Sequence, residues 1–278
     1  MDSAACPPVL FCDAALAQRL ESAEASSTQQ YVAARARLRP EAGCRSAAIG
    51  DGVACFAGAG SPLNRVVALG MTQRVDAAMI EACTAFFTAR QETPRLDLCP
   101  LAHASLLTAL QQSGYAVTQF KQVYVRRLAD WPDRPPPSTP IETAPISPGD
   151  ADCWAQVVAG AFHGGAPSSA DLEIALPNPH KPDTTCFLAR IAGEAAGGGA
   201  LAIHAGLAIG YSTSVRPEMR RLGVQSALLH ARLTYAKAQG CDLFMVQATP
   251  GSASQRNVAR FGFQLAYTKP TLARPLSG

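Results

Sequence analysis

The chain contains 278 residues, of which 48% are hydrophobic and 16% are charged, and its formal net charge is +3. This length exceeds that of an average domain and the apolar fraction excludes a disordered chain, so we expect two compact domains. No apolar run reaches the length of a membrane span, and no basic segment precedes a signal-like apolar stretch. The nine cysteines are scattered, odd in number and without a C-x-x-C pair, which is typical of reduced thiols in a cytoplasmic protein.

The first part of the chain has the pattern of a sheet flanked by helices. Short apolar runs alternate with turn residues, and two longer segments carry apolar residues at helical spacing. The predicted elements are two strands turned at 50–52, a strand at 65–70, a helix at 75–91, a strand at 95–99, a helix at 102–113 and a strand pair within 115–128.

Prolines mark the predicted boundary between two domains. Seven of the 21 prolines fall between Pro132 and Pro148. Such a segment cannot hold a helix and favours extended polyproline geometry. We therefore predict a domain at 1–130, a proline-rich linker at 131–148 and a second domain at 149–278.

The second part repeats the order of elements found in the first. Both parts end with a helix, a Gly-aromatic pair and a strand, which favours a degenerate tandem duplication over two unrelated α+β pieces. The predicted elements are two strands within 186–203, a strand at 207–215, a helix at 221–239, a buried strand at 242–248, a short helix at 252–261 and a closing strand through 266–267.

The modest net charge hides an asymmetry along the chain. Residues 131–215 carry a net charge of −5, whereas the segment from Arg216 to the end carries +7. This distribution indicates an anionic partner for the C-terminal segment, either a phosphorylated small molecule or a nucleic acid. A solvated basic helix face would explain the same charges.

The segment after the strand ending at Val215 has the features of a phosphate-binding loop. Residues 220–226 open a long helix, whose first backbone N–H groups are unpaired and lie at the positive end of the helix dipole. Gly223 would let a phosphate approach the backbone, and Arg220 and Arg221 add positive charge.

This loop resembles the pyrophosphate-binding motif of the GNAT N-acyltransferases, Arg/Gln-x-x-Gly-x-Gly/Ala. Arg220 and Gly223 match the motif, whereas Gln225 stands where the family has Gly or Ala. The order of elements over residues 185–270 is also similar to that of the family. The resemblance implies an α/β (α+β) fold of two GNAT-like domains, each a mixed, mostly antiparallel twisted sheet flanked by helices. Only the second domain carries the acetyl-CoA loop.

The resemblance further implies acetyl-CoA as co-substrate, and the sequence has no metal-ligand spacing. In the family, the pantetheine arm lies between two splayed central strands, and strand backbone near residues 211–213 would donate an N–H to the thioester oxygen. The predicted cofactor-binding residues are Ser212, Thr213, Ser214, Val215, Arg220, Arg221, Leu222, Gly223, Val224, Gln225 and Ser226.

The general acid is less defined. Many relatives protonate the departing thiolate with a tyrosine on the helix after the buried strand, but Val258 stands at that position here. The predicted catalytic residues are Tyr267, Ser254 and Asn257, with Tyr211 and solvent as further alternatives. Alternatively, Tyr267 is a half-buried aromatic residue of the closing strand without a catalytic role.

The general base is equally open, because the strand at 207–215 contains no carboxylate. His204 and His163 are the candidate bases, because histidine is the side-chain type most often used as a base at neutral pH, although each also fits an ordinary loop histidine. Glu173 and Asp171 would attract a cationic amine, or they belong to a solvated acidic face.

We therefore expect an acetyl-CoA-dependent N-acetyltransferase, in which a primary amine of a small-molecule acceptor attacks the thioester directly. The alternative is a non-catalytic CoA-binding module with a regulatory or assembly role. Gln225 and Val258 favour this alternative, because both depart from the motifs of the family. The basic segment lacks the interleaved aromatic residues of a nucleic-acid interface, so we expect neither a nucleic acid nor a membrane as partner. The sequence leaves the acceptor and the state of homo-oligomerisation open.

Overall fold

The computed structural model describes residues 9–132, which we call the first half, and residues 140–163 and 167–275, which form the second half. Helices in these residues are α1 (Ala14–Leu38), α2 (Ala77–Thr88), α3 (Ser105–Gln112), α4 (Ala151–His163), α5 (Ser169–Ala175), α6 (Val224–Ala238) and α7 (Ala253–Arg260). Strands are β1 (Arg45–Ile49), β2 (Gly52–Phe56), β3 (Arg65–Val67), β4 (Arg95–Asp97), β5 (Ala116–Arg127), β6 (Ile141–Pro145), β7 (Thr184–Ile191), β8 (Glu194–His204), β9 (Leu207–Val215), β10 (Leu243–Ala248) and β11 (Gln264–Ala273). None of these helices is long and apolar enough to cross a membrane.

The described strands form one mixed sheet in the order β1-β2-β3-β4-β11-β5-β10-β9-β8-β7-β6. The pairs β3–β4 and β9–β10 are parallel, and the others are antiparallel. Each parallel pair is connected through a helix, α2 in the first half and α6 in the second. This arrangement confirms the predicted mixed, mostly antiparallel fold, and it makes β3–α2–β4 the counterpart of β9–α6–β10.

The two halves complete each other in the centre of the sheet. Strand β11 of the second half lies between β4 and β5 of the first, and β5 lies between β10 and β11. The β5–β11 pair runs from Ala116 opposite Ala273 to Val125 opposite Gln264, with two register shifts. Domains divided at residues 130 and 149 therefore share one sheet, and each lacks a central strand without the other.

The predicted linker at 131–148 is too long at both ends. Trp131 is 7% exposed and its indole N–H donates to Thr234 Oγ1 of α6 at 3.1 Å. At the other end, Ile141–Pro145 forms the edge strand β6, where a proline is tolerated because one side of the strand needs no ladder hydrogen bonds. Residues 133–139, between these points, lie outside the described residues.

The longest helix, α1, was not predicted. Its first turn is capped by the carboxylate of Asp13, which accepts from the N–H of Leu16 at 2.8 Å. The buried face contains alanines and ionisable side chains rather than a stripe of large apolar residues. This face packs on the strands of both halves, so its burial depends on distant partners that helical periodicity does not reveal.

Two local predictions also need correction. The expected strand pair within 115–128 is one strand, β5, and the long helix begins at Val224 rather than at 221. Arg221 and Gly223 have φ angles of +66° and +93°, which an α-helix cannot include.

Candidate active site

A bulge in β9 is the first component of the site. Opposite β8, Gly198 pairs with Ser214 and Ala200 pairs with Tyr211, so two residues of β9 face one residue of β8. Ser212, within the bulge, has a φ of +49°. Such a bulge redirects backbone and side chains locally.

The second component is the gap between β9 and β10. Their parallel pairing ends at Gly210 opposite Val246, although both strands continue beyond these residues. Gly210 allows close packing here, because a Cβ at that position would lie 2.6 Å from the ring of Phe244. The bulge follows directly after this last pair, so it lies where the two central strands separate.

The third component is the start of α6. Gly223 is the N-cap residue, and no side chain caps the helix. The N–H groups of Val224, Gln225 and Ser226 precede the first intrahelical bond, which Ala227 donates to Gly223. Uncapped N–H groups at the positive end of a helix form an anion site.

A cleft of about 670 Å³, which we call the loop cleft, joins the end of β9 to this helix start. Among the described residues, three arginines and no carboxylate line this cleft, so it is strongly cationic. Except for Ser212 and Leu222, all predicted cofactor-binding residues line it: Thr213, Ser214, Val215, Arg220, Arg221, Gly223, Val224, Gln225 and Ser226.

Gln225, which departs from the family motif, has a hydrogen-bond partner across the loop cleft. The amide of Asn257 on α7 donates a hydrogen bond to Gln225 Oε1. Of the predicted catalytic candidates, Asn257 lines the cleft, whereas Ser254 is exposed and does not. The cap of α7 is Ser252, whose hydroxyl accepts from the N–H of Gln255 at 3.2 Å.

A second cavity, of about 320 Å³, lies between the two halves and we call it the inter-half cavity. Its wall combines α1 and residues 62–65 of the first half with β9 and β10 of the second. Ser212 lines this cavity, whereas its neighbour Thr213 lines the loop cleft. The bulge therefore separates two cavities that approach the central strands from different sides.

Sequence reasoning missed Lys181, whose side chain is among the buried groups of the inter-half cavity. Its ammonium donates to Ser27 Oγ at 2.8 Å and to the Tyr211 hydroxyl at 2.9 Å. Burial lowers the pKa of Lys181 to about 8, against the opposing effect of Asp183. Burial also raises the pKa of Tyr211 well above its usual value. No local motif marks this lysine, because its partners come from α1 and β9.

The prediction of Tyr267 as general acid is not supported by its position. The residue is 6% exposed, and it lines neither the loop cleft nor the inter-half cavity. Its hydroxyl donates to Glu21 Oε1 at 2.6 Å. Burial, reinforced by the charge of Glu21, raises the pKa of Tyr267. Tyr267 instead belongs to the buried polar network that holds α1 on the sheet.

Three of the other candidates, His204, Asp171 and Glu173, line neither of the two cavities. His204 ends β8, and the side chain of His163 is outside the described part of the chain. Glu173 pairs with Arg35 of α1 at 3.0 Å, and Asp171 takes part in the N-terminal cap of α5. Within the described ranges, no group of three or more His, Cys, Asp or Glu side chains is placed to hold a metal.

The corresponding loop of the first half is closed by its own carboxylates. Asp51 accepts from the backbone N–H groups of Gly70 and Thr72, the first at 2.7 Å. Asp76 caps α2 by accepting from the N–H of Met79 at 2.9 Å. An anion would therefore meet carboxylates at the start of α2, whereas it meets open N–H groups at the start of α6.

Comparisons with known proteins agree with this geometry. Residues 154–263 match the sequence profile of the Acetyltransferase (GNAT) family. The fold is similar to that of a GCN5-related N-acetyltransferase from Kribbella flavida, with a TM-score of 0.66 and 18% identity over 94% of this chain and 96% of that chain. It is also similar to a tandem GNAT protein from the clavulanic acid biosynthesis pathway, with a TM-score of 0.60 and 14% identity over 82% and 79%. No curated protein matches the sequence significantly.

Proposed function

Because residues 154–263 form an acetyltransferase domain of the GNAT family, we propose that the protein is an acetyl-CoA-dependent N-acetyltransferase acting on the primary amine of a small molecule. One observation carries this proposal: the β9 bulge separates a cationic cleft from a second cavity, with Ser212 on one side and Thr213 on the other. A two-substrate transfer needs two pockets that meet at the reacting atoms.

The loop cleft suits the phosphates of acetyl-CoA. The N–H groups at the start of α6 would hold the pyrophosphate, and Gly223 brings no side chain between an anion and the backbone. Arg220 is held against the protein, since its guanidinium donates to the backbone carbonyl of Ala161 at 3.1 Å. Arg221 and Arg260 add charge from the loop and from α7. Three of the nine basic residues of the +7 segment therefore line this cleft, which supports an anionic small molecule as its ligand.

The strand backbone at the bulge would position the reacting groups. Acetyl-CoA supplies a thioester carbon, and the lone pair of the acceptor nitrogen forms the new C–N bond as the C–S bond breaks. Backbone N–H groups at Ser212 and Thr213 are the donors we assign to the thioester oxygen. The nitrogen proton passes to solvent or to the leaving thiolate. Asn257 remains the catalytic candidate beside the cleft, as a hydrogen-bond donor and not as a titrating acid.

The test is release of free thiol from acetyl-CoA in the presence of a panel of primary amines. We expect at least one amine to raise thiol release well above the rate with acetyl-CoA alone, with one acetylated amine formed per thiol. The control is the N,N-dimethylated derivative of the same amine, because a tertiary amine cannot form a stable amide. Measurable CoA binding without thiol release for every amine would instead support the non-catalytic CoA-binding module.

A further inference from the structure

We infer that the acceptor of this enzyme carries a carboxylate, and that Lys181 in the inter-half cavity is the residue that binds it. The inference rests on the proposed function in one respect, namely that the acceptor occupies the inter-half cavity. The carboxylate site itself is argued from the cavity alone.

Lys181 forms a long ion pair with Asp183, and the hydrogen bonds of its ammonium go to uncharged hydroxyls. The residue is 4% exposed, and the hydroxyls of Ser27 and Tyr211 that accept its hydrogen bonds are uncharged. The nearest carboxylate oxygen, Oδ1 of Asp183, lies 3.7 Å from Nζ, which is beyond hydrogen-bond distance. A buried ammonium in this situation is under-stabilised, in agreement with the lowered pKa of Lys181.

The other charged groups of the cavity are already neutralised. Arg65 lies 3.0 Å from the carboxylate of Asp97 and 3.3 Å from that of Glu24. Glu24 accepts from the ammonium of Lys269 at 2.6 Å and from the amide of Gln247 at 2.6 Å. The charged residues that line the cavity are Glu24, Arg65 and Lys181. Lys181 has the longest ion-pair distance of the three, 3.7 Å to Asp183, so its charge is the one that a ligand carboxylate would complement best.

The apolar residues that line the rest of the inter-half cavity indicate which part of the acceptor connects its carboxylate to its amine. Ile209 and Met245 from the central strands, Leu63 from the first half and Ile174 from α5 provide apolar surface. A cavity of about 320 Å³ is at the lower end of the range for small-molecule sites. A short aliphatic chain with polar groups at its ends fits this distribution better than a polyamine or a protein segment.

The position of Tyr211 indicates how far the amine and the carboxylate of the acceptor lie from each other. Its backbone precedes Ser212 at the bulge, where we place the amine, whereas its hydroxyl binds Lys181. The amine and the carboxylate are therefore separated by roughly the reach of a tyrosine side chain. The acceptor class is an aliphatic amine whose carboxylate lies at the opposite end of the molecule.

Binding of hexanoate and hexanamide to the intact protein tests the carboxylate site without catalysis. The two probes have the same chain and differ in charge. We expect hexanoate to bind at least roughly tenfold more tightly than hexanamide, because its carboxylate forms a charge-assisted hydrogen bond. Calorimetry at fixed ionic strength would measure both affinities. In Lys181→Met this preference should be lost, whereas CoA affinity at the loop cleft should be unchanged.

Lys181→Arg is the matched control, because it keeps the charge. It should retain a preference for hexanoate, and it keeps the inference testable if Lys181→Met fails to fold. Equal binding of the two probes by the wild-type protein would overturn the inference, as would an undiminished preference in a folded Lys181→Met variant.

A parallel turnover experiment separates this inference from the proposed function. With 6-aminohexanoate and hexylamine as acceptors, we expect the carboxylate-bearing amine to have a kcat/KM higher by roughly tenfold or more, and Lys181→Met to reduce the difference. If neither amine is acetylated while hexanoate still binds through Lys181, the proposed activity fails and the carboxylate site stands. If hexylamine is acetylated equally well, the activity stands and the carboxylate inference fails.

Discussion

Asp51 in the β1–β2 turn accepts a hydrogen bond from the backbone N–H of Gly70 at 2.7 Å, and a second from the N–H of Thr72. The carboxylate thereby fills, within the chain itself, the loop that corresponds to the phosphate loop of the second half. The two β–α–β units thus contain loops at corresponding places, of which the one after β3 is closed by a side chain and the one after β9 begins a helix with uncapped N–H groups.

We predict that Asp51→Ala lowers the stability of the fold. The substitution leaves the buried N–H group of Gly70 without its acceptor, which costs ~1–3 kcal/mol, whereas water can replace the acceptor of the exposed Thr72 N–H. Denaturant unfolding followed by circular dichroism would measure the loss. Asp51→Asn, which keeps one side-chain oxygen, should lose less. A variant as stable as the wild-type protein would show that the loop does not depend on this carboxylate.

The loop of the second half should respond to a carboxylate in the opposite way. We predict that Gly223→Asp weakens CoA binding by roughly tenfold or more, because it places a negative charge at the open start of α6 and forces a non-glycine residue to a φ of +93°. Gly223→Ala shares the backbone strain without the charge and should have a smaller effect. Calorimetry should give one CoA site per wild-type chain, and an unchanged affinity in Gly223→Asp would remove the site assignment.

The position and backbone features of the loop at 220–226 could be predicted from the sequence because they are local. An uncapped helix start, a glycine and two arginines lie within seven residues, and their chemistry depends on their own backbone conformation. The bounds of most strands and helices were predictable for the same reason. The surroundings of Lys181 and Tyr267 could not be predicted, because each of these residues has a hydrogen-bond partner on α1, more than a hundred residues away in the chain.

The sequence also did not predict that each half supplies a central strand to the other. Strands β5 and β11 have ordinary strand patterns, and both follow a helix and a Gly-aromatic pair. Their local sequences therefore predict two strands but not which neighbours each strand takes. The pairing of Leu272 with Leu96 in β4, and of Tyr124 with Val246 in β10, depends on the strand order of the whole sheet.

The buried network beneath α1 gives a pH-dependent prediction at Asp97. Its Oδ2 lies 3.0 Å from Nε of Arg65 and 2.9 Å from Nζ of Lys121. Burial alone would raise the pKa of Asp97, but Arg65 and Lys121 hold it well below its usual value. A depressed pKa stabilises the fold above the unfolded-state value near 4, and this stabilisation is lost as the pH falls towards the folded-state pKa.

Asp97→Asn should therefore destabilise the protein strongly at neutral pH, by about 3–5 kcal/mol, because it leaves buried cations without their counter-charge. The difference from wild type should shrink as the pH falls below about 4. Unfolding in urea at pH 7, 5 and 3 would measure it, with the exposed Glu218→Gln as control. A difference that is independent of pH would contradict the assignment of this charge to the stability of the fold.

The shared central strands predict that neither half folds by itself. Without β11, the first half has a gap between β4 and β5, and without β5 the second half has a gap between β10 and β11. Each gap would leave two rows of backbone N–H and C=O groups without partners in the middle of a sheet. Residues 1–139 and 140–278 expressed separately should therefore aggregate or give the circular dichroism of an unfolded chain. Expressed together, they should form a one-to-one complex that binds CoA.

A protease site inserted within residues 133–139 provides the complementary test on the folded protein. After cleavage, the two fragments should co-elute in size-exclusion chromatography and separate only in denaturant, because β5 and β11 remain paired along nearly their full length. The control is the uncut chain carrying the same insertion, which should elute at the same volume. Two folded fragments that separate in native buffer would show that each half can close its own sheet, and the halves would then be independent domains joined by a linker.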